Sequence, residues 1–144
     1  MLITGTIDEV RSERWTEPNV GWGLVPTMGY LHEGHLSLIR QARGDNDRVA
    51  VSIYVNPTQF APTEDLASYP RDIDRDIDIL KNENVDLAFI PADDVIYPAE
   101  FQSAIVVEKI AQVLEGASRP GHFQGVATIV AKLLNIFQPT RVYF

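Results

Sequence analysis

The sequence contains the stretch Val25-Pro-Thr-Met-Gly-Tyr-Leu-His-Glu-Gly-His-Leu-Ser-Leu38, which joins an apolar segment to a helical pattern. The apolar segment, 23–25, has the composition of a strand, and Leu38, Ile39 and Ala42 recur at the spacing of one helix face. A strand that passes through a short loop into a helix is the repeating unit of α/β proteins. The stretch therefore predicts the first such unit of an α/β fold.

The rest of the chain repeats this alternation of apolar runs and helical patterns. Runs rich in β-branched and aromatic residues predict strands at 23–25, 48–55, 85–90, 103–107 and 141–144. Two of these runs are apolar almost without interruption, which is typical of strands buried on both faces of a parallel sheet. We therefore predict a doubly wound, Rossmann-like α/β fold, in which helices cover both faces of a parallel sheet.

Helical patterns fill the intervals between the predicted strands. Thr6 followed by Glu9 fits a capping box that opens a short helix. The segment 73–80 has the spacing of an amphipathic helix, and the charged residues within 71–78 are expected to form its solvated face. The longest apolar stripe comprises Val126, Ile129, Val130, Leu133, Leu134 and Phe137, and Pro139 ends it.

The predicted topology also indicates where a ligand binds. In doubly wound sheets the site lies at the carboxyl ends of the strands. The loops that follow Val25, Val55, Ile90 and Phe144 are therefore expected to share one rim.

Composition narrows the class of protein. With 144 residues, 45% of them hydrophobic, and no repeat or linker, the chain is expected to form one domain, 1–144. A net charge of -8 argues against a nucleic-acid partner, which clustered Lys and Arg would bind. The lack of cysteine excludes disulfides and favours the cytoplasm. No apolar run approaches the ~18 residues of a membrane helix, so no membrane partner is expected.

The loop between the first predicted strand and its helix carries the residues most suited to chemistry. Gly34 allows close approach of a ligand, and the free N–H groups of the helix start attract phosphate oxygens. His32 and His35 are three residues apart, so both imidazoles can act on one group, as adenylyl transfer requires. The competing interpretation is a pair of surface or capping histidines. A zinc site with Glu33 or His122 is disfavoured because the spacing is not His-Glu-x-x-His, and we predict no protein metal site.

Two further loops are candidates for substrate contacts. Asn56-Pro-Thr-Gln-Phe60 follows the second predicted strand and offers two amides that suit a hydroxy acid, although Asn-Pro is also ordinary turn chemistry. The glycine-rich segment 114–125 leads into the longest helix. There a structural hydrogen bond is the expected role of His122, and Arg119 is the better candidate for contacting an anion.

Taken together, the motifs resemble one known family. Pro26-Thr-Met-Gly-x-Leu-His-x-Gly-His35 is similar to the signature loop of the pantothenate synthetases, which belong to the nucleotidyltransferase type of Rossmann-like folds. Later blocks resemble that family in the same order and extend the resemblance over essentially the whole chain: Val51-Ser-Ile-Tyr-Val-Asn-Pro-Thr-Gln-Phe60, Tyr69-Pro-Arg71, Leu114-Glu-Gly116, Arg119-Pro-Gly-His-Phe-x-Gly-Val126 and Arg141-Val-Tyr-Phe144.

The resemblance implies an ATP-dependent condensation of (R)-pantoate with β-alanine through a pantoyl adenylate, with Mg²⁺ and a homodimeric assembly. It implies that His35 is the proton donor, that His32 assists at the phosphates, and that Gln59 contacts pantoate and β-alanine, with Asn56 beside it. The implied ATP-binding residues are Pro26, Thr27, Met28, Gly29, His32, Gly34 and His35.

In the family, the chain continues with Gly-x-Lys-Asp, Gln-Gln and a smaller domain carrying Ser-Ser-Arg, and none of these occurs here. We therefore expect residues 1–144 to be the nucleotide- and pantoate-binding N-terminal domain, the family's C-terminal domain being absent, and to be nearly inactive alone. Two alternatives remain: a catalytically inactive Rossmann-like binding or dimerisation module, and another His-x-Gly-His adenylyltransferase.

Overall fold

The computed structural model describes residues 1–60 and 66–144. Its five strands form one sheet in the order β1-β4-β3-β2-β5, and every pair is parallel. The strands are β1 (Leu2–Thr4), β2 (Trp22–Thr27), β3 (Arg48–Ile53), β4 (Leu87–Phe89) and β5 (Arg141–Val142). An all-parallel sheet confirms the predicted α/β class.

Six α-helices connect the strands in the described part of the chain. They are α1 (Ile7–Thr16), α2 (Glu33–Asp45), α3 (Ile73–Asn82), α4 (Asp93–Ile96), α5 (Glu115–Ser118) and α6 (His122–Phe137). Single 3₁₀ turns occur at Pro57–Gln59, Leu66–Ser68 and Ile110–Gln112. Since β2, β3 and β4 follow one another across the sheet while β5 lies on the other side of β2, the strand order reverses between β2 and β5.

Helices cover both faces of the sheet, as predicted. One apolar cluster includes Val10 of α1 and Ile129 of α6, and the other includes Ile39 of α2 and Leu80 of α3. Successive residues of β3 join opposite clusters: Ala50 packs in the first, and its neighbours in the strand pack in the second. This alternation follows from the two-residue period of a strand, which sends neighbouring side chains to opposite faces.

The predicted helix boundaries agree with the structure. Thr6 is the N-cap of α1, where its side chain accepts from the backbone N–H of Glu9 and donates to the carboxylate of Glu9. Helix α6 ends at Phe137, two residues before Pro139. Both ends follow the local chemistry of caps and of proline.

Two strand assignments from the sequence need correction. The run 103–107 is not a strand, because it joins no ladder in the described residues, and Val106 is 64% exposed. Strand β1 is missing from the predicted set, since Leu2–Thr4 is too short to show alternation and pairs only with β4. Composition favours an extended backbone in both segments, but only the tertiary position decides whether a neighbouring strand is available.

The expectation of a fully solvated face on α3 is also wrong at one residue. Asp74 and Asp78 are exposed, whereas Asp76 has no exposed surface. Within residues 1–60 and 66–144, no helix combines the length and apolar composition needed to span a membrane.

Candidate active site

The loop between β2 and α2 is shaped by the end of β2 and by two residues with positive φ. Thr27 Oγ1 donates to Ser52 O of β3 at 2.8 Å and accepts from the backbone N–H of Gly29 at 3.1 Å. Gly29 has φ 82° and Tyr30 has φ 51°. A Cβ at position 29 would lie 2.9 Å from Ile53 Cγ2, so glycine is required by both conformation and space.

Asp76 of α3 holds the next two residues of this loop. Its carboxylate accepts from the backbone N–H of Tyr30 at 2.6 Å and of Leu31 at 2.8 Å. Arg75 donates to Leu31 O at 3.0 Å from the same helix. The loop is therefore fixed to α3. The helical spacing from Ile73 and Leu80 places Asp76 on the apolar side of α3, but the sequence does not show which groups its carboxylate binds.

The two histidines form the N-terminal cap of α2. His32 is the N-cap, and its Nδ1 accepts from the backbone N–H of Gly34 at 3.1 Å. His35 Nδ1 accepts in turn from the backbone N–H of His32 at 3.4 Å, and the ring centroids are 4.1 Å apart. This is a capping box in which imidazoles take the places of the usual Ser or Thr and Glu. The capping role and the pairing of the rings, both considered from the sequence, occur together.

Their environment keeps His35 neutral. Burial lowers the pKa of His35 below its usual value, the neighbouring His32 lowers it further, and the Asp76 carboxylate acts in the opposite direction. Because the Nδ1 of each ring accepts a backbone hydrogen, the neutral rings carry their hydrogen on Nε2. Each histidine thus offers an Nε2–H donor at the positive end of the α2 dipole, which is a suitable place for phosphate oxygens.

A cavity of about 300 Å³ opens where the strand order reverses, between the end of β2 and the end of β5. Its lining joins loops that follow β2, β3 and β5 to one side of α6, as the shared-rim prediction required. The residues are Pro26, Thr27, Met28, His35, Tyr54, Asn56, Gln59, Tyr69, Val126, Ile129, Val130, Leu133 and Phe144. The lining combines polar side chains, among them His35, Asn56 and Gln59, with apolar side chains of α6, which is typical of a site for a small organic molecule.

The loop after Ile90 lines a second cavity. This cavity of about 340 Å³ lies on the other side of the Met28–Tyr30 loop and includes Ile90, Gly29 and Asp76. Met28 lines both cavities. The loops that follow β2, β3 and β4 therefore lie at the same rim of the sheet. The loops after β2 and β3 line both cavities, and the loop after β4 lines the second cavity.

The amides of the second candidate loop are ordered by hydrogen bonds. Asn56 is 1% exposed, and its Nδ2 donates to Gln59 Oε1 and to Gly125 O, each at 3.1 Å. Asn56 Oδ1 accepts from the hydroxyls of Thr58 and Tyr97, each at 2.9 Å. Since the Oε1 of Gln59 is the acceptor, its Nε2 is left to donate, and it does so to Met28 Sδ at 2.8 Å.

This orientation makes Gln59 a donor toward the cavity. Asn56 reaches the cavity wall as well, but its polar atoms are used within the protein. A direct contact of either amide with a substrate stays a prediction.

His122 supports the same turn from the start of α6. Its Nδ1 lies 2.7 Å from Gln59 O, and its Nε2 lies 3.3 Å from Arg119 Nη1. A carbonyl only accepts, so the Nδ1 carries the hydrogen and the Nε2 accepts from Arg119. This is the structural hydrogen bond expected from the sequence, and it fixes the backbone of Gln59, which is predicted to bind substrate. One guanidinium N–H of Arg119 donates to His122 in this way. A contact between Arg119 and an anion stays a prediction.

The sequence-predicted residues divide into three groups by position. Those of the 300 Å³ cavity are Pro26, Thr27, Met28, His35, Asn56 and Gln59; Gly29 faces the second cavity; His32 and Gly34 form the exposed start of α2. Among residues 1–60 and 66–144, no three His, Asp or Glu side chains come together as a metal-binding group. Sequence reasoning missed Asp76 and Tyr97, whose isolated positions carry no motif.

Comparison with known proteins identifies the family and the fold. The model of the pantoate-beta-alanine ligase family matches residues 2–144. The pantothenate synthetase of Gluconobacter oxydans is 56% identical over 144 residues, which are 100% of this chain and 52% of that protein. The pantothenate synthetase of Roseiflexus castenholzii is 55% identical, over 100% of this chain and 51% of its own. The chain thus spans about half the length of the curated relatives it matches.

Solved structures give the same result. The crystal structure of pantothenate synthetase from Thermus thermophilus has a TM-score of 0.94 and 48% identity, covering 100% of this chain and 51% of that one. Pantoate-beta-alanine ligase from Francisella tularensis, complexed with beta-gamma ATP and beta-alanine, also has a TM-score of 0.94, with 45% identity over 99% of this chain and 55% of its own. A family match over nearly every residue, together with the shared fold, shows that this chain belongs to the pantoate-beta-alanine ligase family.

Proposed function

We propose that residues 1–144 are the nucleotide- and pantoate-binding N-terminal part of an AMP-forming ligase that condenses (R)-pantoate with β-alanine. One observation carries this proposal: His35 and the ordered amide of Gln59 line the same cavity, where the strand order reverses. Nucleotide-binding α/β proteins place their ligands at this point of the sheet. Membership of the ligase family and the ATP and β-alanine complex of the Francisella tularensis relative support the same substrates.

In the first half-reaction, a carboxylate oxygen of pantoate attacks the α-phosphorus of ATP. The bond from the α-phosphorus to the bridging oxygen breaks, and pyrophosphate leaves with that oxygen. We assign the loop from Pro26 to His35 to ATP, with the Nε2–H groups of His32 and His35 directed at the phosphate oxygens. Negative charge grows on these oxygens as the bond breaks, so the donors stabilise the transition state more than the bound substrate.

In the second half-reaction, the amine of β-alanine attacks the carbonyl carbon of pantoyl adenylate. The bond from that carbon to the AMP oxygen breaks, AMP leaves, and the amine loses a proton as the amide forms. We assign the Gln59 amide to the pantoate and β-alanine oxygens. Its Oε1 is held by Asn56, so the orientation of the donor is set before a ligand arrives.

Mg²⁺ enters the proposal as part of the nucleotide substrate. Mg²⁺ usually keeps several waters and binds through substrate phosphates with one or two carboxylates, so a preformed cage of protein ligands is not needed. It would neutralise phosphate charge, while the chain's own contribution is the donors of the α2 start.

We also propose a homodimer in the cytoplasm, where ATP is available. Residues 103–107 join no strand ladder among the described residues, and Ile105, Val106 and Val107 are 43%, 64% and 42% exposed. Beyond them, Ile110 is 76% and Leu114 is 88% exposed. An exposed apolar segment of this kind marks an interface.

Sedimentation of Val106→Asp should give a monomer where the parent gives a dimer. The control Gln102→Asp, at an exposed polar position, should leave the dimer intact. A dimeric Val106→Asp would contradict this interface.

Calorimetric titration of the protein with MgATP and with pantoate tests the proposed ligands. We expect both to bind, and His35→Ala to weaken MgATP binding while far-UV circular dichroism stays unchanged. Binding of MgATP without pantoate would favour a different His-x-Gly-His adenylyltransferase. Binding of neither, by a folded protein, would favour a non-catalytic module.

A further inference from the structure

Asp76 stands out among the acidic residues of α3. Its carboxylate is fully buried, while Asp74, two residues earlier on the same helix, is exposed. Both of its oxygens are used: Oδ2 accepts from the Tyr30 N–H and Oδ1 from the Leu31 N–H. Hydrogen bonds to an ionised carboxylate are of the stronger class, so this carboxylate is a firm attachment point.

The loop presents these two N–H groups because of its backbone conformation. Gly29 and Tyr30 both have positive φ, and successive N–H groups then converge on one side and form an anion-binding concavity. Here the anion is supplied by the protein itself. The Tyr30 and Leu31 amides are therefore occupied by the Asp76 carboxylate, which leaves the Nε2–H groups of His32 and His35 as the donors for a ligand.

We propose that Asp76 is the positioning residue of this loop. It holds the loop from the α3 side and thereby fixes where the His32–His35 pair lies relative to the cavity. The chain leaves the Asp76 contacts at Leu31, and the very next residue is the N-cap of α2. A shift of the carboxylate is thus transmitted directly to His32 and, through its backbone N–H, to His35. This inference rests on the proposed function for the identity of the ligand.

Electrostatics supports the same link. The groups that act on His35 are His32, which lowers its pKa, and the Asp76 carboxylate, which raises it. Arg75 Nη1 lies 3.6 Å from Asp76 Oδ1, and Arg75 Cζ lies 5.4 Å from the centroid of the Tyr30 ring. Removing the Asp76 charge should therefore lower the pKa of His35.

The test is Asp76→Asn, with Asp74→Asn as the matched control on the same helix. The variant keeps the shape but turns one acceptor into a donor that faces an N–H. Because charge-assisted hydrogen bonds are lost, we expect the MgATP Kd to rise roughly tenfold or more and the pantoate Kd to change little. In an NMR titration, the His35 ring should titrate at lower pH than in the parent, and the control should match the parent in every measurement.

A folded Asp76→Asn with the parent's His35 titration and MgATP affinity would overturn the proposal. So would a loss of affinity for both ligands with an unchanged His35 titration, which is the sign of a merely structural role. If Asp76→Asn does not fold, Asp76→Glu keeps the charge and moves the loop, and it should weaken MgATP selectively. If the parent binds no MgATP, the proposed function fails, while the NMR titration still decides the role of Asp76.

Discussion

Replacing Gly125 by alanine perturbs the contact between α6 and the turn that carries Gln59. A Cβ at position 125 would lie 2.4 Å from Thr58 O, 2.6 Å from Thr58 C and 2.7 Å from Gln59 N. All three are backbone atoms, and ordinary contact of a Cβ begins at 3.4 Å. The turn must therefore move away from α6 by about 1 Å, the difference between the 3.4 Å of an ordinary contact and the 2.4 Å to Thr58 O.

Two effects of opposite sign determine the stability of Gly125→Ala. Overpacking of this kind costs about 1–3 kcal/mol, whereas removing a glycine from a helix interior gains about 0.5–1 kcal/mol. The net expectation is a loss of about 0–2.5 kcal/mol in the free energy of unfolding. Because the turn that carries Gln59 is displaced, we also expect the pantoate Kd to rise roughly tenfold, which is about 1.4 kcal/mol of binding free energy.

Gly44 in α2 provides the matched control. A Cβ there meets no atom within 4 Å, so Gly44→Ala should stabilise the protein by about 0.5–1 kcal/mol. Urea denaturation gives both free energies of unfolding, and calorimetry gives both pantoate affinities. The reasoning is refuted if Gly125→Ala gains as much stability as Gly44→Ala and binds pantoate as the parent does.

Three further predictions concern the caps, the histidine pair and the amide turn. The pKa of His35 is lowered in the folded state, so its contribution to stability is complete above pH 6.5 and is lost as the pH falls through the folded-state pKa. Urea denaturation at a series of pH values should show that His35→Ala flattens the fall in the free energy of unfolding below pH 6.5. An unchanged pH dependence would contradict this. Thr6→Ala removes the cap of α1 and should cost about 1 kcal/mol by urea denaturation, with a negligible change counting against the observed cap. Tyr97→Phe removes the 2.9 Å bond to Asn56, so it should cost about 0.5–1.5 kcal/mol and also raise the pantoate Kd; equal affinity would separate Tyr97 from the site.

The parts of the fold that follow local rules could be predicted from the sequence. Thr6 and Glu9 signal a helix start whatever surrounds them, and Pro139 signals an end. The buried runs of β3 and β4 predict a parallel sheet because only helices on both faces make such runs possible. From parallel strands it follows that their loops meet at one rim, which led to the cavity without knowledge of any contact.

The remaining features depend on distant parts of the chain. Asp76 lies at the helical phase of Ile73 and Leu80, on the apolar side of α3, and Asp74 does not, but the sequence does not show that the Tyr30 and Leu31 amides pair with the Asp76 carboxylate. The run 103–107 has strand composition, but no composition states whether a neighbouring strand exists. Likewise, the contact between His122 and the carbonyl of Gln59 joins residues 63 positions apart.

During synthesis, the strands emerge in an order that differs from their order in the sheet. Strands β2, β3 and β4 lie within residues 22–89 and are neighbours in the sheet, so this central part can assemble first. Strand β1 is made before them but, among the described residues, pairs with β4 alone, and β5 is made after them and pairs with β2. Because parallel pairs of this kind close long loops, they form slowly, and the edge of β2 stays open until residues 141–142 arrive. The crevice between β2 and β5, where we propose that ligands bind, thus forms only after β5 has joined the sheet, and ribosome-bound chains that end before residue 141 should lack it.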